Sequence, residues 1–365
     1  MCCASGPEED AVTGLASLFR RLEGPQTLGR GPAFWALFAL VLAGALAYPL
    51  FSDGYTVGNT VYFFVWVFIA LSLSLIWGYG GSLSFGQTAF FGIAGYGYGI
   101  LTINFGASYG FTWIALLLAI GMAALVAALL GYFMFFGRIA GVFLGIVTLA
   151  VTLMLERFMA QTAGPEWRIG AARLNGFNGM SAMPPLTIPW FGGPIVLFAD
   201  VGLYYVVLGM LVLVYLGLRI LMNSSFGNVI VAIRENPERA EMLGYDIRKY
   251  QLITFVIGAA LAGLSGVLYT VWGQYITPSS MGMTAASLPL IWVAVGGRSD
   301  LTATIIGTLV VLSGFQALTI YGSQYALVFM GVLLVLTVLI APNGLVLGVI
   351  KGIAKLVTRR KQEAA

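Results

Sequence analysis

The chain has 365 residues, of which 59% are hydrophobic and 9% are charged, and its formal net charge is +4. Soluble domains carry about 25% charged residues, whereas residues 54–137 of this chain form a run of 84 without one. Since a bilayer-spanning helix needs about 20 apolar residues, the composition predicts an all-α polytopic membrane protein and excludes a soluble domain. A membrane β-barrel is excluded because the apolar runs are continuous rather than alternating.

The residue types also exclude several kinds of chemistry. The chain has no histidine, and its two cysteines are Cys2 and Cys3, so we expect neither a histidine-ligated metal site nor a disulfide framework. None of the four lysines follows a glycine, so the chain has no P-loop for ATP. We therefore expect no catalytic residues, no metal and no cofactor in this chain, and we attribute the net charge to membrane topology rather than to nucleic-acid binding.

In chain order, residues 1–33 are predicted to be a polar cytoplasmic extension, in which 10–23 has the pattern of a modest amphipathic helix at the membrane surface. Residues 34–348 are predicted to be the transmembrane domain, and 349–365 a basic cytoplasmic tail. The domain contains ten hydrophobic segments, near 34–51, 58–77, 84–104, 111–134, 139–160, 201–221, 250–274, 285–297, 301–320 and 324–341.

The positive charges predict the orientation of these segments. With the N-terminus in the cytoplasm, 15 of the 18 lysines and arginines fall on cytoplasmic pieces, and only Arg157, Arg168 and Arg173 fall outside. Both termini are then cytoplasmic. The loop at 161–200 is external, and the charged loop at 222–250 is cytoplasmic.

Five segments precede the external loop and five follow it, which predicts two inverted five-segment repeats. The third segment of each half is irregular: 84–104 is rich in glycine, while 285–297 is short and contains Pro289. Matching broken segments indicate a transport pathway at the repeat interface. The alternative is that the glycines only allow close helix packing.

The cytoplasmic loop contains the pattern of a very short helix with a fixed length. Asn236 is a suitable N-cap, Pro237 fits the first helical position, Glu238 favours the positive end, and Gly244 can end the helix in a left-handed conformation. Ala240, Met242 and Leu243 give the loop an apolar surface, so we interpret it as a docking helix for a separate soluble protein. The alternative is a solvated loop with one helical turn.

A second polar pattern opens the third segment. Small polar solutes need a few hydrogen-bonding groups in an otherwise apolar pocket. The candidate pathway residues are Ser82, Ser84, Gly86, Gln87, Thr88, Phe90, Phe91 and Tyr96, with Pro289 and Trp292 from the other broken segment. The alternative is that the hydroxyl groups bond backbone carbonyls and join helices.

The motifs resemble those of the branched-chain amino acid and urea ABC permeases. The matching stretches, in order from about 70 to 348, are Gly81–Tyr96, Gly137-Arg-Ile-Ala-Gly-Val, Gly176-Phe-Asn-Gly179, Ser225-Phe-Gly, Ala232-Ile-Arg-Glu-Asn, Arg239-Ala-Glu, Leu243-Gly, Ile291–Arg298 and Ala341-Pro-Asn-Gly-Leu. The N-terminal extension and the insert Gly164–Arg173 are not typical of that family.

The resemblance implies the membrane subunit of an importer in the bacterial inner membrane, for branched-chain or other hydrophobic or small polar amino acids, or else for urea or a short-chain amide. It implies a second, homologous permease subunit, two cytoplasmic ATPase subunits that bind ATP and Mg²⁺, and a periplasmic substrate-binding protein. The ATPase-coupling residues that it implies are Arg234, Glu235, Asn236, Pro237, Glu238, Arg239, Ala240, Glu241, Met242, Leu243 and Gly244.

The energy source separates this interpretation from its rival. Ion-coupled carriers place acidic residues or histidine inside their spans, and the predicted spans are nearly empty of them. The chain must therefore use energy from a partner or transport downhill. A channel or uniporter without an ATPase is the alternative, and it would need no capped docking helix.

Overall fold

The structure is a computed structural model that describes residues 22–106, 110–189, 195–341 and 344–349. Its helices are α1 (Pro32–Phe51), α2 (Gly54–Leu73, continued by a π-helical turn Ser74–Tyr79), α3 (Gln87–Phe105), α4 (Phe111–Phe136), α5 (Val142–Ala160), α6 (Val201–Asn223), α7 (Ser225–Glu235), α8 (Pro237–Met242), α9 (Ile247–Gly273), α10 (Met283–Gly296) and α11 (Leu301–Ile340). The prediction of a mainly helical membrane protein is confirmed.

Each of the ten predicted hydrophobic segments coincides with a helix, but not each is a membrane span by length and composition. Within the described residues, seven helices are long and apolar enough to cross a membrane. The helix α10 and the last part of α11, Tyr325–Ile340, are apolar but short. The two parts of α11 meet at Gly322, whose backbone is non-helical. The structure thus supports a multi-pass protein, whereas the count of ten spans stays a prediction.

Short strands lie in the predicted external loop, so the all-α expectation was incomplete. The strands are β1 (Arg168–Ile169), β2 (Ala172–Arg173), β3 (Met180–Ser181), β4 (Leu186–Ile188), β5 (Ile195–Leu197) and β6 (Tyr275–Ile276). They form three antiparallel pairs, β1 with β2, β3 with β6, and β4 with β5. The pairing of β3 with β6 joins the loop to the end of α9.

The insert at 164–173 is an ordered hairpin held by α3. The Asn104 side chain, near the end of α3, donates to the Ile169 carbonyl and accepts from the Ala171 amide, each at 2.8 Å. Residues 10–21 of the predicted surface helix, Cys2 and Cys3, and residues 350–365 of the predicted tail lie outside the described residues.

The helices α2 and α9 form the centre of the protein. The helix α9 packs against α2, α3 and α4, and α2 packs against α9, α10 and α11. The Ser72 hydroxyl donates to the Gly258 carbonyl at 2.7 Å, and the Ser265 hydroxyl donates to the Val65 carbonyl at the same distance. A hydroxyl that bonds a carbonyl of the neighbouring helix satisfies itself and holds the two backbones close together.

The aspartates of the described residues mark helix starts. Asp53, Asp200, Asp246 and Asp300 each accept a hydrogen bond from a backbone amide in the first turn of α2, α6, α9 and α11. Such caps satisfy amides that have no partner inside the helix. This placement keeps these four carboxylates at helix ends and away from the apolar interior.

The segment before α1, residues 22–31, is tied to the ends of several helices, and we name it the N-terminal strap. Arg219 of α6 is fully buried and donates to the carbonyls of Leu22, Leu28 and Gly29 at 3.1, 3.1 and 2.8 Å. The Leu28 amide donates to the Asp300 carboxylate at 2.6 Å. The strap therefore links the end of α6 to the start of α11.

Candidate functional site

The predicted docking helix is present as α8, with the predicted caps. The Asn236 side chain accepts from the Arg239 amide at 2.9 Å, Pro237 is the first helical residue, and the helix ends at Met242. Gly244 has φ 89°, in the left-handed region that favours glycine. The predicted short helix is therefore confirmed in position and in both caps.

The helix α8 is held from one side and exposed on the other. Ala240 is buried against Val229 and Ile233 of α7, beside Ile247 and Tyr250 of α9. Met242 and Leu243 are 86% and 72% exposed. The expectation that Ala240 contributes to the docking surface was wrong, because in a helix of about 3.6 residues per turn it points away from Met242. The apolar surface consists of Met242 and Leu243.

The charged residues of α8 are exposed as well. Glu238, Arg239 and Glu241 are exposed, and Glu235, at the end of α7, is paired with Arg234. The hydrogen bond from the Lys249 side chain holds the pKa of Asp246 below its usual range. The α9 cap is therefore ionised at neutral pH, and Asp246 forms an exposed ion pair with Lys249 just after α8.

Arg234 connects this loop to the candidate pathway segment. Its Nη1 donates to the Gly78 carbonyl at 2.6 Å, and its side chain packs on Gly81, which has φ 71°. A side chain at position 81 would meet the Arg234 side chain and would require a strained backbone. Arg234 therefore joins the end of α7 to the segment between α2 and α3.

The candidate pathway residues lie at the start of α3 and inside the protein. Gly86 precedes the first helical residue, Gln87, and the Ser84 hydroxyl accepts from the Gly86 amide at 3.1 Å. The neighbouring Phe85 amide donates to the Thr148 hydroxyl of α5 at 3.1 Å. Ser84 and the predicted residues from Gly86 to Tyr96 are buried, whereas Ser82 is partly exposed.

Pro289 and Trp292 of α10 are also buried, and rings connect α10 to α3. Trp66 of α2 stacks on Phe91 at 5.3 Å and lies 5.6 Å from Trp292, measured between ring centroids. Phe90 instead packs on Phe255 of α9 at 5.5 Å. The structure thus brings Phe91 and Trp292 to one cluster through Trp66, a residue that the sequence interpretation did not select.

Several buried polar atoms in this region have no hydrogen-bond partner within the described residues. They are the two amide atoms of Gln87, the Thr88 hydroxyl, the Tyr96 and Tyr98 hydroxyls and the indole nitrogens of Trp66 and Trp292. Polar groups without partners are rare in protein interiors and cost free energy. Hydroxyls that only join helices would be satisfied, as Ser72 and Ser265 are.

Sequence reasoning missed two structural supports of the site. The helix α7 was not predicted, although Val229, Ile230 and Ile233 have the apolar spacing of a helix face. Arg219 was counted only as a cytoplasmic charge. Its position inside the apolar run of α6 was the available signal, since an arginine within a span indicates a specific set of partners.

The family profile described as "Branched-chain amino acid transport system / permease component" matches residues 55–338. The high-affinity branched-chain amino acid transport system permease protein LivM of Escherichia coli is 26% identical over 330 residues, which are 84% of this chain and 73% of that protein. The probable LivM permease protein of Methanocaldococcus jannaschii is 30% identical over 39% of this chain and 45% of that protein.

The chain also matches the second type of permease protein in these systems. The probable branched-chain amino acid transport permease protein LivH of M. jannaschii is 28% identical over 41% of this chain and 50% of that protein. No solved structure matches the chain. The matched range begins at residue 55, so the N-terminal strap and α1 lie outside the range that the family profile matches.

Proposed function

The chain belongs to the family of permease components of branched-chain amino acid transport systems, and from this premise we propose that it is one membrane subunit of an ABC importer for branched-chain amino acids. In the proposed assembly it pairs with a second, homologous permease subunit. This pairing is supported by the similarity of one chain to proteins named LivM and to proteins named LivH. Two ATPase subunits and a periplasmic binding protein would complete the importer in the inner membrane.

The observation that carries the proposal is the exposed apolar end of α8. Met242 and Leu243 are 86% and 72% exposed on a helix that is capped at both ends and fixed by the buried Ala240. A six-residue helix is not stable alone in water, so its packing on α7 presents this surface in a fixed position. An amphipathic helix presented in this way fits an apolar groove on a soluble partner. We assign that partner as the ATPase.

The proposed route of coupling runs through Arg234. An ATPase that moves α8 also moves α7, because Ala240 packs on Val229 and Ile233. Arg234 at the end of α7 bonds the Gly78 carbonyl, so the motion reaches the connection between α2 and α3. No group in this chain needs to bind ATP, since the importer would take its energy from the partner subunits.

We further propose that the two halves are inverted repeats. In the reciprocal bonds between α2 and α9, Ser72 stands seven residues after Val65, and Ser265 stands seven residues after Gly258. A twofold rotation that exchanges α2 with α9 would exchange the two bonds, as in an isologous contact. The sequence Gly86-Gln-Thr-Ala before and into α3 has a counterpart in Gly282-Met-Thr-Ala before and into α10.

Placing negative charge on the apolar docking surface tests the proposal. The double substitution Met242→Glu and Leu243→Glu removes an apolar contact in which each side chain contributes about 1.5–3 kcal/mol when buried. We expect the ATPase to bind the permease at least about tenfold more weakly, since about 1.4 kcal/mol is a factor of ten, and ATP-driven uptake of leucine to be lost. The measurements are co-purification and uptake by proteoliposomes.

The matched control is Met242→Leu with Leu243→Met, which keeps the apolar surface and should keep ATPase binding. Replacing both Glu238 and Arg239 with alanine is expected to abolish ATP-dependent uptake while membrane insertion stays intact. Uptake that continues without ATP in the Met242→Glu, Leu243→Glu variant would instead establish the rival, a channel without an ATPase.

A further inference from the structure

A column of aromatic rings leads from strand β6 to the place where α2, α3, α9 and α10 meet. Tyr275 of β6 lies 5.8 Å from Tyr269, Tyr269 lies 5.5 Å from Trp66, and Trp66 contacts Phe91 and Trp292. The exposed fraction falls from 39% at Tyr275 to 8% at Tyr269 and to 1% at Trp292. The column is therefore open at one end and closed at the other.

Unpartnered polar atoms lie on α3 and α10, the two helices whose rings close the column. Within the described part of the chain, the Trp292 indole N–H, both amide atoms of Gln87 and the Thr88 hydroxyl have no hydrogen-bond partner, and all three residues are at least 98% buried. Gln87 and Thr88 precede Phe91 by four and three positions, so these side chains share a face of α3. That face carries the ring on which Trp66 stacks.

We propose that these groups form a binding site for the zwitterionic end of an amino acid whose side chain is aliphatic; this assignment rests on the proposed transport function. The Trp292 N–H can only donate, and with the Gln87 amide N–H it suits a carboxylate. The Gln87 carbonyl oxygen and the Thr88 hydroxyl accept from an ammonium group. The faces of Trp66 and Phe91 attract the ammonium and cover the aliphatic side chain.

The charges of the surrounding helices support this class of ligand. The sequences of α2, α3 and α10 contain no charged residue, and the charged residues of α9, Arg248 and Lys249, lie in its first turn. A solute with a net charge would have to be buried there without a counter-charge, which is very costly. A zwitterion is neutral as a whole, and the unpartnered donors and acceptors of α3 and α10 suit its two charged groups. Amino acids with charged side chains are therefore expected to be poor substrates.

The test compares the effect of the Trp292 indole N–H on stability with its effect on transport. Trp292→Phe keeps an aromatic ring, loses some buried volume and removes a buried donor that has no partner in the structure, so the melting temperature should fall less than in a variant that also loses a hydrogen bond. If the N–H binds the carboxylate, the maximal rate of ATP-driven uptake should fall about tenfold or more, because a hydrogen bond to a charged group is lost. The probe is radiolabelled L-leucine, in proteoliposomes that contain the complete importer.

The matched control is Trp113→Phe. The Trp113 indole N–H donates to the Thr187 carbonyl at 2.9 Å, so this variant should lower the melting temperature and leave the uptake rate per folded complex unchanged.

A second pair of variants repeats the design with threonine hydroxyls. Thr88→Val should lower uptake without loss of stability, whereas Thr148→Val removes a hydroxyl that already accepts from the Phe85 amide and should lower stability.

The possible outcomes separate this inference from the proposed function. Normal uptake in Trp292→Phe and Thr88→Val would overturn the site, and so would a fall in uptake that only follows a fall in stability. Uptake of urea but not of leucine by the unchanged complex would overturn the zwitterion assignment while the permease function stands. Failure of the unchanged complex to transport either solute would overturn the proposed function itself.

Discussion

At the scale of single residues, Arg219 shows how a cation can be accommodated at the end of a span without a carboxylate. Its guanidinium is fully buried and is satisfied by three carbonyls of the N-terminal strap and by the Tyr215 hydroxyl. It also lies 4.7 Å from the Phe34 ring and 5.3 Å from the Trp35 ring. The planar fork of arginine and its weak hydration suit this combination of contacts.

Arg219→Met is expected to lower the free energy of unfolding by about 3 kcal/mol, because it leaves buried carbonyls without donors. Arg219→Lys should not restore the loss, since an ammonium cannot bond the same carbonyls in the fork geometry. Thermal unfolding and limited proteolysis of the strap measure both effects. The exposed Arg168 provides the control, because Arg168→Met should change stability by less than about 0.5 kcal/mol. If the N-terminal strap in Arg219→Met stays protected from proteolysis, Arg219 does not hold the strap in place.

At the scale of elements, the cytoplasmic loop shows what local sequence can predict. The caps of α8 follow from the residues themselves, since Asn236, Pro237 and Gly244 each suit one position of a short helix. The orientation of Ala240 could not be read in the same way. It depends on the packing of α8 against α7, and the two helices meet only through the tertiary structure.

The link between these elements and the pathway is tested by Arg234→Gln. The substitution shortens the side chain and removes the bond to the Gly78 carbonyl, while Met242 and Leu243 keep their exposed surface. We expect the ATPases to bind and hydrolyse ATP as before, and uptake to fall at least about tenfold, because the interaction lost involves a charged donor. Uptake per ATP hydrolysed is the measurement.

Lys249→Gln is the control in the same loop, since Lys249 is exposed and its ion pair is with Asp246. An exposed pair of this kind contributes little, so coupling should be retained. Equal loss of uptake in both variants would show that Arg234 has no particular part in the transmission.

At the scale of the whole molecule, composition and the continuous apolar runs were sufficient to predict a polytopic helical protein, because bilayer thickness sets the length of a span. The contacts among the buried rings of the candidate pathway could not be predicted from composition. Trp66, Phe91 and Trp292 come from three helices that are far apart in the sequence. The reciprocal bonds of Ser72 and Ser265 likewise became visible only when α2 and α9 were seen together.

The orientation of the whole molecule also rests on the distribution of charge, and it can be tested directly. The sequence has only two cysteines, so replacing Cys2 and Cys3 with serine gives a background for single labels. Glu241→Cys places a thiol on exposed α8, and Phe177→Cys places one on the external loop, where Phe177 is 74% exposed. A membrane-impermeant maleimide should label Phe177→Cys in right-side-out vesicles and Glu241→Cys only in inside-out vesicles.

Uptake by each cysteine variant is measured before the maleimide is added, as the control that the complex has assembled. Labelling of Glu241→Cys from the outside would place α8 where no ATPase can reach it, and the proposed coupling would then be wrong. Labelling of both thiols from one side would contradict the odd number of spans that the orientation requires between residues 177 and 241. The predicted pattern instead leaves α6 as the crossing between the external loop and the docking helix, with Arg219 at its cytoplasmic end. That position agrees with the preference of arginine for the cytoplasmic side of a membrane.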